Sequence, residues 1–486
     1  MVALPPAEPA RVSSGGLTAV LCLSGTVVAL QQTLVTPLVT HLPELLDIDY
    51  ADATWLVTVT LLVSAVAMPI VSRLADMYGK KRMMLIAMST MIVGSVVAAV
   101  GGSFVPVLIG RALQGLAPSM IPVAIAVLRD ELPREKVAGA TALMSATLGI
   151  GSALGLPLSG LVYQFLGWES IFWLSATAGL ALLVALWRVV PESPIRTPGR
   201  FDYLGAVLLS AALSSMLLAV SKGGTWGWTS QFTLIAAVTS VVSFAIWFPL
   251  QLRLRAPMVD LRVSARRPVL LTNVVGLLVG FAMYANMFAT TQQLVITDET
   301  GYGHGLSVLV AGLCMMPASL MMIAFAPVSA RMIARVGARL TLIVGGSVLA
   351  VAYVVRIFLT GSVPLIVLGA MLVTIGTAIA YATMPLLIMG SVPITQTASA
   401  NGLNTLLRAV GTSVSGAVIA ALLTTVTIDV AGRDLPSLAA FQIIFGMSAA
   451  AAFVAVGVAV FIPRRTAPVS DPVPVRADEG ESVSVG

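Results

Sequence analysis

Charge is the scarcest commodity in this chain. Only 10% of its 486 residues are charged, against 58% hydrophobic, and the mean hydropathy is +0.99. Soluble domains carry roughly 25% charged residues, so a water-soluble globular protein is excluded. Cysteine is almost absent. Cys22 and Cys314 both fall inside apolar runs, where a small apolar side chain is the plain explanation and a disulfide framework is not indicated. Histidine is equally rare, and His41 and His304 both lie in connectors. Two distant histidines and two buried cysteines give no converging nucleophile, base or metal set, so an enzyme is not expected and no cofactor is implied. No polar stretch is long enough to hold a soluble core or a signalling region.

What is present is apolar length. A bilayer core needs roughly 20 apolar residues per helical span, and the sequence offers fourteen such runs, at 17–39, 52–72, 83–101, 104–127, 137–163, 168–187, 203–221, 231–250, 268–293, 306–330, 339–359, 363–388, 399–425 and 438–462. The expected fold is all-α and integral to the membrane. Run 17–39 is longer than a signal-peptide core and leads directly into further spans, so it is read as a mature helix. The tails, 1–16 and 463–486, are rich in Pro, Ser and Val and are expected to be disordered.

Orientation follows from the basic residues. Alternate connectors collect 22 of the 27 Lys and Arg residues, while the others hold only Lys222 and Arg433. The positive-inside rule therefore puts both termini in the cytoplasm. The net charge of +6 reflects topology, and nucleic-acid binding is not indicated.

The acids are distributed differently. All 21 fall in connectors or at span ends, 12 on the inner side and 9 on the outer, so no carboxylate is expected in mid-membrane. Arg111, Arg356 and Arg408 lie within spans, where a charge costs at least about 2.5–3.5 kcal/mol and marks a functional candidate by default. Arg356 is near the outer end of its run and is expected to snorkel. Arg111 lies about 10 Å below the outer end, near where Glu44, Asp47, Asp49 and Asp52 cluster. Arg408 is the deepest, with Asn401 and Asn404 on or near the same helix face.

Two amides also sit in the first run. "VVALQQTLVTP", residues 27–37, places Gln31 beside Gln32; on a helix they point about 100° apart, so one at most faces a central cavity. "QQLV" at 292–295 repeats the feature with Gln292 and Gln293 at the start of the second half. Connector "SRLADMYGKKR" (72–82) is echoed by "ARMIARVGAR" (330–339), with Arg73 matching Arg331 and Gly79 matching Gly337. The fifth and thirteenth runs echo each other as well. Two related halves with a site at their interface is a common transporter plan.

On these residues the chain resembles the major facilitator superfamily, and within it the 14-helix drug:proton antiporter branch. The resemblance implies a six-helix bundle at 17–190, two additional helices at 201–251 and a second six-helix bundle at 268–462. The family's cytoplasmic motif is matched by Ser72, Leu74, Ala75, Asp76, Gly79, Lys80 and Lys81, with Ser72 in place of a Gly. A turn at Gly79 presenting cations to Asp76 and to helix ends would act as a conformational lock. "RALQG" (111–115) is similar to an Arg-x-x-Gln-Gly motif and assigns Arg111 and Gln114 to coupling or substrate contact. "GIGSALGLPLSG" (149–160) looks like the antiporter motif, with Gly151, Gly155, Pro157 and Gly160, although the Pro is one residue late and close helix packing explains the small residues equally well. In the first helix the branch commonly carries an Asp where Gln31 stands here.

The resemblance implies a secondary active exporter of hydrophobic or amphiphilic compounds, a multidrug-type efflux protein coupled to proton influx. It would work as a monomer in a bacterial cytoplasmic membrane. The cavity is expected to be lined by Gln31, Gln32, Arg111, Gln114, Asn286, Gln292, Gln293, Asn404 and Arg408. Without an embedded acid it should favour neutral or anionic amphiphiles. An uncoupled or lipid-type facilitator fits the same residues.

Overall fold

The computed structural model describes residues 13–463, apart from 36–37, 39–41, 194, 198, 255 and 431–432. His41, residues 1–12 of the first tail and 464–486 of the second lie outside the described residues. The long helices are α1 (Ser14–Leu34), α2 (Tyr50–Tyr78), α3 (Lys80–Val100), α4 (Phe104–Gln114 and Met120–Glu131, joined by the 3-10 turn Ala117–Ser119), α5 (Arg134–Leu166) and α6 (Glu169–Val189). They continue with α7 (Tyr203–Trp226), α8 (Gln231–Arg253), α9 (Arg267–Val295), α10 (Val308–Ala324 and Ala326–Val336), α11 (Ala338–Arg356), α12 (Val363–Met389), α13 (Thr397–Thr425) and α14 (Leu438–Val460).

Among the described residues, thirteen of these helices are long and apolar enough to cross a membrane. The other is α5, whose 33 residues exceed the roughly 20 that a bilayer requires, so the count is consistent with the fourteen runs of the sequence. Two helices are broken where their sequence dictates. In α4, Gly115 and Pro118 interrupt the ladder just after Gln114, and Pro118 has no N–H to donate. A two-stranded hairpin, β1 (Thr427–Val430) and β2 (Arg433–Pro436), joins α13 to α14. Tyr302 donates to the Pro436 carbonyl and anchors it.

Each half has its own core. Leu17, Leu21 and Val28 of α1 pack with Met83, Met84, Met88 and Met91 of α3 and with Ala124 and Val127 of α4. In the second half Ala282 and Ala285 of α9, Tyr353 of α11 and Phe441 and Phe445 of α14 form the equivalent centre. The halves meet along two seams, α2 against α13 and α5 against α10, with α5 also touching α12 and the end of α4 touching α13. Helix α7 packs on α2 and α13 together, and α8 packs on α7. Only 22% of the apolar stretch of α8 is enclosed, as expected of a helix facing lipid.

Candidate functional site: a latch, two buried arginine clusters and a cavity

The sequence 72–82 closes one end of the bundle. Gly79 adopts φ +117, a backbone conformation that side chains rarely take, and ends α2 so that α3 starts immediately at Lys80. That turn leaves Asp76 fully buried on the last turn of α2, pointing across the seam. Its carboxylate accepts from the backbone N–H of Ala398 (3.2 Å) and of Ser399 (2.8 Å). These are second- and third-position amides of α13, whose own N-cap residue, Gln396, supplies no side-chain bond. Asp76 therefore caps a helix of the other half, answering orphan amides and the positive end of the helix dipole.

Further contacts reinforce this closure. Arg129 of α4 donates to Thr397 Oγ1 at 2.7 Å. In the connector to α7, the Thr197 N–H donates to the Asp76 carbonyl and its hydroxyl to the Thr395 carbonyl, each at 2.7 Å. Ser72 lies against Gly402 so closely that a Cβ there would collide with its hydroxyl. The cations of the motif go elsewhere. Lys80 forms an ion pair with Asp130, both side chains 1% exposed, and Asp130 also accepts from Ser193 Oγ at 2.7 Å. Lys81 donates to the Trp187 carbonyl at 2.7 Å, in the last turn of α6.

The in-span arginines are all buried. Arg111 donates through Nε to the Leu56 carbonyl (3.0 Å) and through Nη1 to Gln114 Oε1 (2.7 Å) and Gln31 Oε1 (3.3 Å). Gln114 continues to Ser95 Oγ at 2.7 Å. The acids at 44–52, near Arg111 in the sequence reading, are not among its partners in the described residues; the Leu56 carbonyl and two amides hold it. Gln31 is thus a neutral acceptor for a buried cation, while Gln32 is half-buried and outside the cluster.

Arg356 does not snorkel. It is fully buried, donating to the Leu359 carbonyl (2.8 Å), Gln293 Oε1 (3.1 Å) and Thr290 Oγ1 (3.5 Å), with Phe445 beneath it at 4.5 Å. Depth along its own helix misleads here, because α9 and α14 enclose the side chain. Gln292 is half-buried beside this cluster. Arg408 stacks over Tyr381 at 4.6 Å and donates to Thr405 Oγ1 at 3.2 Å. Asn404 donates to Asn273 Oδ1 at 3.0 Å, and Asn401 turns back to the Thr397 carbonyl.

A cavity of about 50 Å³ lies where α5 meets the second half. Met283, Asn286 and Met287 of α9 line it with Met315, Ser319 and Met322 of α10, Thr374 and Thr377 of α12, and Gly149 of α5. Of the side chains expected at the cavity only Asn286 is in this lining, held by the Ala370 carbonyl at 3.2 Å. Gln31, Arg111, Gln114 and Gln293 belong to the buried arginine clusters.

The small residues of α5 serve its contact with α1. A Cβ on Gly151 would strike Ala29, and one on Gly155 would strike Thr33. Thr33 donates to the Gly151 carbonyl at 3.2 Å, and Ser159 to the Leu34 carbonyl at 2.5 Å. Pro157 sits inside this helix, and Gly160 faces Leu309 of α10.

Residues 21–416 match the family model described as Major Facilitator Superfamily. The chain is 30% identical over 320 residues to the tetracenomycin C resistance and export protein of Streptomyces glaucescens, covering 65% of this chain and 58% of that protein. It is 29% identical over 372 residues to the multidrug resistance protein Stp of Mycobacterium tuberculosis, covering 76% and 68% respectively. The chain therefore spans less than two thirds of the tetracenomycin relative's length. Its fold is similar to the crystal structure of the human organic anion transporter MFSD10 (TETRAN), with a TM-score of 0.66 and 17% identity over 93% of this chain and 100% of that one.

Proposed function

Since the chain belongs to the Major Facilitator Superfamily, we propose that it is a secondary active transporter exporting hydrophobic or amphiphilic small molecules by alternating access. The observation that carries this reading is the cavity between the halves, found together with a second contact between them in which Asp76 of α2 caps the start of α13. At about 50 Å³ it is well below the roughly 300–1,000 Å³ of a drug-sized site. A substrate needs the halves to part, and the Asp76 cap must break together with the Arg129–Thr397 and Thr197–Thr395 bonds beside it. The names of the two bacterial relatives, a resistance and export protein and a multidrug resistance protein, support export.

The lining sets the substrate class. Four methionines give an adaptable apolar wall, and Asn286, Ser319, Thr374 and Thr377 offer neutral hydrogen bonds. Uncharged or weakly anionic amphiphiles fit it, and no acid is present to attract a cation. With 22 of 27 basic residues in alternate connectors, the Asp76 end and both termini face the cytoplasm. The protein works there as a monomer in the cytoplasmic membrane.

Protons drive the exchange on this reading. A proton on Asp76 would replace a charged acceptor by a neutral one and loosen the cap on α13. The lining itself holds no titratable side chain, which favours an uncoupled facilitator as the second reading. Flux in proteoliposomes separates them, using a neutral and a cationic fluorescent amphiphile with and without an imposed pH gradient. Proton coupling predicts that neutral-probe flux follows the gradient. Flux indifferent to the gradient selects the facilitator, and equal transport of the cation rejects the proposed substrate class.

A further inference from the structure

The two seams between the halves are treated differently. Along α2 and α13 the apolar side chains Leu62, Ala65, Leu403 and Leu406 join Leu209 and Leu213 of α7 in one continuous core. At the end away from Asp76, Lys222 of α7 donates to Thr54 Oγ1 at 2.6 Å and lies 4.8 Å over the Trp55 ring. Trp226 packs on the same ring at 6.3 Å. Helix α7 thus covers this seam, with α8 packed on α7 behind it.

The α5 and α10 seam has no such cover. Leu143, Leu154 and Leu161 of α5 and Leu309, Leu313 and Leu320 of α10 remain exposed along it, which in a bilayer means exposed to acyl chains. Directly behind it is the methionine-lined cavity. Where α5 meets that cavity it carries Gly149, and the missing side chain is replaced by Met322. A Cβ on Gly149 would lie 2.6 Å from Met322 Cβ and 2.8 Å from its sulfur. What separates cavity from seam at that point is a flexible thioether side chain on a backbone with no side chain of its own.

We infer that substrate reaches the cavity from within the bilayer, sideways between α5 and α10, with Met322 lying over Gly149 as the gate. The ligand class is an uncharged amphiphile already dissolved in the membrane. The pseudo-equivalent route between α2 and α13 is closed by α7. This route rests on the export reading above and adds the path of entry.

The test uses the full chain in proteoliposomes with a neutral diazirine amphiphile in the lipid phase. Labelled residues are mapped by mass spectrometry with and without excess unlabelled neutral probe. Competed labels are expected on Met315, Met322 and their neighbours on α5 and α10, with any label on α7 or α8 insensitive to competition. Met322→Trp should lower uptake of a lipid-partitioned probe by about tenfold while its thermal unfolding in detergent matches that of the parent, which separates blockage from misfolding. Competed labels confined to α2 and α13 or to the connector at the Asp76 end would overturn the route. So would Met322→Trp protein that transports as well as the parent. If no probe is transported by the parent protein, the export reading fails and the route with it, whereas persisting flux with labels elsewhere refutes the route alone.

Discussion

The two halves bury an arginine in the same manner and then part company. In the first, Arg111 takes Gln31 of α1 as an acceptor; in the second, Arg356 takes Gln293 of α9. Each glutamine comes from the first long helix of its own half, and each leaves its buried amide Nε2 without a partner. Neither guanidinium meets a carboxylate. Among the described residues the one ion pair is Lys80 with Asp130, and it lies in the first half. There the last turn of α2 carries Asp76 onto α13. In the second half, 258 residues on, the Asp76 position is Ala334, although Gly337 keeps a positive φ of 83. The helix starts explain the difference. α13 has no acid in its first turn, whereas α5 begins with its own Glu135, which already complements its dipole. Only one of the two helix starts takes an acid from across the seam, so this cap is one-sided.

The largest effect expected is on the ion pair. Asp130→Ala strands Lys80 in a buried site and should cost about 3–5 kcal/mol of stability, read from thermal or denaturant unfolding in detergent. Replacing both partners together, Lys80→Met with Asp130→Leu, should recover most of it. The second-half counterpart of Lys81, Arg339, is half-buried and donates one bond to the Val460 carbonyl at 2.5 Å, and Arg339→Ala should cost about 1 kcal/mol. Equal losses would remove the asymmetry.

Asp76→Ala comes next. It leaves the amides of Ala398 and Ser399 facing a void, at about 1–3 kcal/mol against the closed arrangement. Spin labels on α2 and α13 near their Asp76 ends should report a longer distance, and Asp76→Asn, which keeps one acceptor, should fall between. An unchanged distance distribution in Asp76→Ala would show that Arg129 and Thr197 hold the end shut without it.

The sequence conveys the helices far better than their partners. Apolar runs found the long helices because a bilayer punishes polar residues wherever they lie, and the ends are displaced mainly where helices continue past the apolar stretch, as α2 does to Tyr78 and α5 to Leu166. The spacing of Asp76 and Gly79 was equally legible. Its target was not, since backbone amides at 398 and 399 carry no residue signature. Arg356 shows the same limit, because its enclosure comes from Gln293 and Phe445, remote in sequence. The cavity was harder again. Gln31, Arg111 and Gln293 stand out as polar residues in apolar runs, yet Gln31 pairs with Arg111 and Gln293 with Arg356 in two separate buried clusters, and the cavity is lined largely by methionines that periodicity cannot distinguish from core.

The finest test of the one-sided closure restores the missing acid. Ala334→Asp places a carboxylate at the second-half position equivalent to Asp76, beside the helix end that Gly337 terminates. If the start of α5 is already complemented by Glu135, the new acid gains no cap and meets like charge across the seam. The expected change is within about 0.5 kcal/mol in stability, with flux of a neutral amphiphile unaltered. A marked gain in stability together with loss of flux would mean that α5 accepts the cap as readily as α13 does. Closure would then be two-sided by geometry, and Ala334 would be the residue that keeps the second latch from forming.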